Sequence, residues 1–147
     1  MIISSFRGKY HFLSNFHSSP IIFNSLIVDT VEHGYQASKT IDIIDRIWIA
    51  GLKTPGDAKK AGSKKGLKGR KIKLREDWQK IYLDVMRGLL REKFKRPELR
   101  QQLIDTKNAH IVEGNTWGDI IWGICNGTGQ NLLGKLLMEV RDEILRN

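Results

Sequence analysis

Apolar residues at Trp78, Ile81, Tyr82, Val85, Met86, Leu89, Leu90 and Phe94 recur at helical steps, which predicts an amphipathic helix with a core-facing stripe. Leu132-Leu133-Gly134-Lys135-Leu136-Leu137-Met138-Glu139-Val140-Arg141 predicts another near the C-terminus. Ile21-Ile22-Phe23 and Leu26-Ile27-Val28, separated by Asn24-Ser25, predict a β-hairpin. The hairpin feeds Asp29 to Lys39, where Asp29 or Thr30 can cap a helix. Ile41 to Ala50 is expected to continue as helix, with Ile43, Ile44, Ile47 and Trp48 on its buried side. Thr54-Pro55 with Asp57 opens a helix that Gly62 ends, and Pro97 opens a short one carrying Leu99, Leu103 and Ile104 inward. His110-Ile111-Val112 reads as a brief strand. Ser4 to Phe16, with Phe6, Tyr10 and Phe12, fits a short strand or extended loop better than a helix.

The length of 147 residues and 40% hydrophobic content predict a single domain with a proper core. No apolar run approaches the roughly 18 residues of a membrane span, and nothing at the N-terminus is organised as a signal peptide. One cysteine, Cys125, forms no internal disulfide, and with four scattered histidines it makes no metal-ligand pattern. A cytoplasmic setting, no metal and no membrane partner are the expectations. Cys125 reads as a small core residue more readily than as a nucleophile.

Net charge changes the picture. At +9, with a pI near 9.8, the chain suits an anionic partner such as nucleic acid, a nucleotide or a phosphorylated metabolite. The charge concentrates between Lys53 and Arg75, and Gly62 to Lys73 reads as a mobile, glycine-rich loop. Lys64, Lys65, Lys68, Arg70 and Lys71 form its candidate nucleic-acid patch, and a solvated surface loop is the plain alternative. It is no P-loop, because the Gly-Lys-Ser/Thr ending is absent.

Candidate chemistry begins at Glu32, Gln36 and Lys39, spaced i, i+4 and i+7 and so on one face of a helix. A carboxylate, an amide and an amine there can hold a substrate and move protons. Asp29-x-x-Glu32 is equally a capping box, with Glu32 only reaching back to the cap. Asp119 sits among Trp117, Trp122 and three glycines. Both indoles can stack on a base or sugar, or both belong to the core with Asp119 capping a turn. Gly127-Thr128-Gly129-Gln130-Asn131 leads into a helix N-terminus, a geometry suited to anions. Asn15 sits in a turn, or points its amide at a ligand.

Ser14-Asn15-Phe16, Glu32 to Lys39, Met86 to Phe94, Thr106, Glu113-Gly114-Asn115, Trp117-Gly118-Asp119, Trp122-Gly123 and Gly129-Gln130-Asn131-Leu132-Leu133-Gly134 through Arg141 follow one another in a familiar order. Over essentially its whole length the chain resembles the NADAR (YbiA-like) domain family. Gly34 stands where relatives often carry a bulky aromatic residue.

The resemblance implies a compact, mainly helical α+β domain with a small N-terminal hairpin, no metal and no cofactor. It implies N-glycosidase chemistry on ribosylated substrates. These are ADP-ribose attached to guanine in DNA, or phosphoribosylamino-pyrimidine intermediates of riboflavin synthesis. A non-catalytic module that binds ADP-ribose or nucleic acid is the remaining alternative. Breaking the bond builds positive charge at the anomeric carbon. Glu32 and Asp119 are then the candidate carboxylates and Lys39 a candidate nucleophile. Asn15, Gln36 and Asn131 become polar clamps and Trp122 a stacking wall. Gly129 and Gly134 would let backbone approach a phosphate.

Overall fold

The computed structural model describes residues 1–147. In chain order the elements are β1 (Ile2–Ile3), a 3₁₀ helix (Gly8–Leu13), β2 (Ile21–Phe23), β3 (Leu26–Val28), α1 (Val31–Ala37), α2 (Ile43–Ala50), α3 (Pro55–Ala61), α4 (Trp78–Lys93), α5 (Pro97–Ile104), β4 (His110–Ile111), β5 (Gly114–Asn115), β6 (Ile124–Cys125) and α6 (Leu132–Arg146). The class is α+β and mainly helical, with three two-stranded sheets. The chain divides into two units, Asn15–Lys93 and Met1–Ser14 with Phe94–Asn147.

In the unit Asn15–Lys93 the hairpin forms as expected. Asn24 and Ser25 take φ of +49° and +66°, the left-handed pair that lets a two-residue turn follow the strand twist. Ile21 and Val28 face inward while their neighbours Ile22 and Ile27 stay exposed, the period of a strand. Every residue of α1 is buried, and α1 packs on α2, α3 and α4. Gly34 faces α4, where a Cβ would stand 2.5 Å from Leu89 Cδ2. Its missing side chain therefore serves helix packing.

Helix does not continue from Asp29 to Ala50. It stops at Ala37 and restarts at Ile43, where the Asp42 carboxylate accepts from Ile44 N at 2.8 Å and Asp45 N at 3.3 Å. In the gap, Arg46 Nε donates to Thr40 O at 2.6 Å, so a side chain satisfies a carbonyl that a continuous helix would pair with Ile44 N, and Ser38 Oγ adds a bond of 2.7 Å to Gly34 O, which also accepts from Ser38 N. The restart rotates the apolar stripe outward. Ile43, Ile44 and Ile47 are 55%, 66% and 54% exposed, contrary to expectation, and Ile49 is the buried residue.

Gly62 to Lys73 is also more built than a mobile loop. Leu67 and Arg70 exchange backbone hydrogen bonds of 2.9 and 3.0 Å around Lys68 and Gly69, both left-handed. Leu67 and Ile72 pack against the cluster of Ala37, Ile49, Ala58 and Ala61. The glycine at 66 is needed because a Cβ would run into the Arg70 carbonyl.

In the unit of Met1–Ser14 and Phe94–Asn147, β1 runs parallel to β4 and β5 runs parallel to β6. Ser4 to Phe16 holds a 3₁₀ helix instead of the expected strand or extended loop. Gly8, at φ +56°, turns the chain, and Phe12 and Leu13 drop into the core. Leu133, Leu136, Leu137 and Val140 form the buried stripe of α6. Arg141 is buried beside them and donates from Nη1 to Thr106 Oγ1 at 2.9 Å. Cys125 is buried. No helix is long and apolar enough to cross a membrane.

Candidate active site

Thr30, and not Asp29, caps α1: its hydroxyl accepts from His33 N at 3.1 Å. That frees Glu32 from the capping-box role. The His33 ring locks the same turn, with Nδ1 2.7 Å from Thr30 Oγ1 and Nε2 2.8 Å from Leu52 O. A carbonyl only accepts, so Nε2 carries the hydrogen and Nδ1 takes the threonine hydroxyl.

Glu32 is 8% exposed, and its Oε2 accepts from Gln36 Nε2 at 3.4 Å, one turn along the helix. Its backbone amide donates to Asn15 O at 3.1 Å, which ties the Asn15 turn to the start of α1. Asn15 Nδ2 rests on Met86 Sδ at 3.7 Å. Asn15 Oδ1 and Gln36 Oε1 are buried acceptors with no donor from the protein. Such groups are costly unless a ligand or water supplies the missing bond.

Lys39 lies beyond the last residue of α1, so it does not sit at i+7 of a continuous helix. Its position is set by backbone instead. Arg75 N donates to Lys39 O at 2.8 Å, and the Arg75 guanidinium reaches Ser38 O at 3.4 Å. The amine donates to Gly62 O at 3.4 Å and stands 5.5 Å from the centroid of the Tyr35 ring. Burial pushes its pKa below the ordinary lysine value; the Glu32 carboxylate pulls it back up in part, and Lys59 lowers it further. The site thus pairs a buried carboxylate with a partly desolvated amine inside one unit.

The other candidates lie in the second unit. Asp119 Oδ1 accepts from Ile121 N at 3.1 Å and Trp122 N at 2.9 Å, an Asx turn. Asn115 clamps the same turn, donating from Nδ2 to Asp119 O at 2.9 Å and accepting from Asp119 N at 3.1 Å. Trp122 is half-buried, while Trp117 is 58% exposed and outside the core. Expected as a polar clamp, Asn131 spends both ends of its amide inside the fold: Oδ1 on Glu113 N at 2.9 Å and Nδ2 on Ile111 O at 3.0 Å. Gly129 and Gly134 both let other backbone approach closely. A Cβ on Gly129 would meet Gly123 O, and one on Gly134 would meet Ile111 O and the Asn131 amide. Of the basic patch, Lys64, Lys65, Lys68 and Lys71 are exposed, but Arg70 is engaged with Asp45 at 2.9 Å.

Sequence reasoning missed Glu113, whose Oε2 accepts from Asn115 Nδ2 at 3.0 Å and fills the space a Cβ on Gly123 would need. The pairing of an acid with Asn two residues on and a later glycine was visible, but only the fold shows the three meeting.

The chain is 38% identical over 142 residues to N-glycosidase YbiA of Shigella flexneri, covering 95% of this chain and 85% of that protein. It is 37% identical over 126 residues to the chloroplastic riboflavin biosynthesis protein PYRR of Zea mays, covering 79% of this chain and 20% of that one. The NMR structure of the E. coli protein YbiA superposes with a TM-score of 0.83 at 34% identity, over 99% of this chain and 84% of that chain. The N-glycosyl hydrolase class read from the sequence is the class named for the Shigella relative. The NADAR domain model matches residues 4–145, and the chain belongs to the NADAR domain family.

Proposed function

We propose that this chain is an N-glycosidase that hydrolyses the ribosyl C1′–N bond of ADP-ribose attached to guanine in DNA. The observation that carries the reading is the set of buried Glu32 and Gln36 with half-buried Lys39, a partly desolvated amine whose proton affinity responds to the Glu32 carboxylate, and buried acceptors that lack protein donors. A ribose supplies hydroxyl donors to Asn15 Oδ1 and Gln36 Oε1. Glu32 moves protons between the attacking group and the departing base nitrogen, and Lys39 meets the anomeric carbon. Asp119 is the second carboxylate of the reading. The family match from residue 4 to 145 supports treating the chain as one NADAR domain.

The exposed lysines at 64, 65, 68 and 71 favour a polyanionic substrate over a free metabolite. The second reading, hydrolysis of phosphoribosylamino-pyrimidine intermediates, draws on the riboflavin-biosynthesis name of the maize relative. A parallel assay decides. The protein is incubated with ADP-ribosylated DNA and with phosphoribosylamino-uracil, and release of free sugar is scored for each. Release from DNA alone supports the first reading, and release from the pyrimidine alone replaces it with the second. Binding without release from either makes the chain a binding module.

A further inference from the structure

Gly62 closes α3 with φ −83° and ψ −4°, ordinary right-handed backbone that any residue adopts. Helix capping therefore does not require glycine here, as it does where the cap turns left-handed. Space does. A Cβ at position 62 would collide with Gln36 Oε1, stand 2.8 Å from Gln36 Cδ and 3.1 Å from Gln36 Cβ. The carboxamide of Gln36 fills the place of the missing side chain, with its nitrogen turned to Glu32 Oε2. The carbonyl of the same glycine accepts from Lys39 Nζ at 3.4 Å. One residue thus touches both side chains that flank Glu32 on the candidate site. We infer that Gly62 is a positioning residue for the N-glycosidase reaction, seating the Gln36 amide against its α-carbon and holding the Lys39 amine on its carbonyl.

The inference rests on the proposed roles of Glu32 and Lys39, and it adds a source for their geometry. Gln36 has no protein donor for Oε1, so which way its amide points is fixed by its packing on Gly62 and by the long 3.4 Å bond from Nε2 to Glu32 Oε2. A methyl at 62 removes that packing and swings the amide away from Glu32. The Lys39 bond is long, so the amine is parked at Gly62 and can be released to a substrate. Gly62 is also the first residue of the basic segment, which roots the lysine-bearing turn at the catalytic helix.

The test compares Gly62→Ala with Gly51→Ala. Gly51 ends α2 with nearly the same backbone, φ −89° and ψ −1°, but a Cβ there meets nothing closer than 3.4 Å. Both variants should fold, as read by circular dichroism and thermal melting. Gly62→Ala should lower kcat on the order of tenfold to a hundredfold with little change in KM, because a misplaced group costs rate rather than affinity. Gly51→Ala should leave kcat near wild type. In a Gln36→Ala background, where the amide is gone, Gly62→Ala should change kcat by less than about twofold. Without any substrate, Gly62→Ala should move the Gln36 side-chain amide signals and the Lys39 titration in NMR spectra. An unmoved amide signal with unchanged kcat, or an equal loss of rate in both backgrounds, overturns the inference. If the wild-type protein turns over no ribosylated substrate, the proposed function fails, and the NMR comparison alone decides the role of Gly62.

Discussion

The Arg70 guanidinium lies 4.2 Å from the centroid of the Trp48 ring, with the Asp45 carboxylate 2.9 Å away. One residue of the basic segment is therefore spent on holding that segment to α2. This separates the five bases of the candidate patch into one that folds the turn and four that face solvent. Arg70→Ser should destabilise the protein by about 1 kcal/mol, the scale of an exposed cation–aromatic contact with a surface ion pair. Chemical denaturation measures it.

Replacing Lys64, Lys65, Lys68 and Lys71 with Ser should leave that stability unchanged. It should weaken DNA binding and flatten its salt dependence, by a slope of about 0.9 for each phosphate that is no longer neutralised. Hydrolysis of a small ribosylated substrate should stay near wild type. Equal DNA affinity of both proteins at low salt would reduce the segment to a solvated surface.

The two carboxylates call for different controls. Glu32→Gln keeps the shape of a buried side chain and should cost little stability, but on the order of 10²-fold or more in rate. Near-normal turnover would return Glu32 to the fold. Asp119→Asn keeps an oxygen able to accept from Ile121 N and Trp122 N, so its turn should survive while the rate falls. An unchanged rate in Asp119→Asn, with a stability loss of about 1 kcal/mol in Asp119→Ala, would assign Asp119 to the turn alone.

What was legible in the chain is what depends on local spacing. The hairpin at Asn24-Ser25, the Thr54-Pro55 helix start and the Trp78 to Phe94 stripe are all carried by nearest neighbours. Ile43, Ile44 and Ile47 misled because their spacing is right for a core face, whereas a new cap at Asp42 decides which face turns inward. At the site, Glu32 and Gln36 could be placed together from spacing alone. Lys39 arrived near them by another route, through Arg75 and Gly62, residues 36 and 23 positions away in a relationship no periodicity encodes. Asn131, Gly129 and Gly134 also serve tight backbone packing, a role that amides and glycines share with ligand binding and that only the contacts reveal.

Lys93 sets a pH dependence. It is fully buried, and burial pushes its pKa from 10.5 down to about 7. Between those values the unfolded chain holds a proton that the folded chain lacks, so stability rises as pH climbs through the window. Below about 7 both states are protonated, and the cost of burying the charge is at its full value. The stability of Lys93→Met relative to wild type should therefore be highest near pH 6 and decline toward pH 10. Guanidinium unfolding at both ends measures it, and a difference independent of pH would show that the lysine keeps its ordinary proton affinity.

Lys39 carries the most specific chemical expectation. An amine attacks only when uncharged, and burial lowers its proton affinity while Glu32 opposes the effect and Lys59 adds to it. Attack at C1′ forms a carbon–nitrogen bond as the base nitrogen departs with a proton, and opening of the sugar ring leaves an imine on Lys39. Water then adds to the imine, and the carbon–nitrogen bond to lysine breaks to give free sugar and amine. Borohydride intercepts the imine, reducing it to a stable secondary amine. Enzyme treated with substrate and borohydride should thus show a sugar adduct by mass spectrometry on the peptide that contains Lys39, and activity should be lost in step with the adduct. The alternative keeps Lys39 protonated, binding a phosphate or Glu32, with water as the nucleophile. Lys39→Arg separates the two, because guanidinium preserves the charge but forms no such imine. An enzyme that turns over without an adduct, together with a Lys39→Arg variant that retains most of its rate, would establish water as the attacking group.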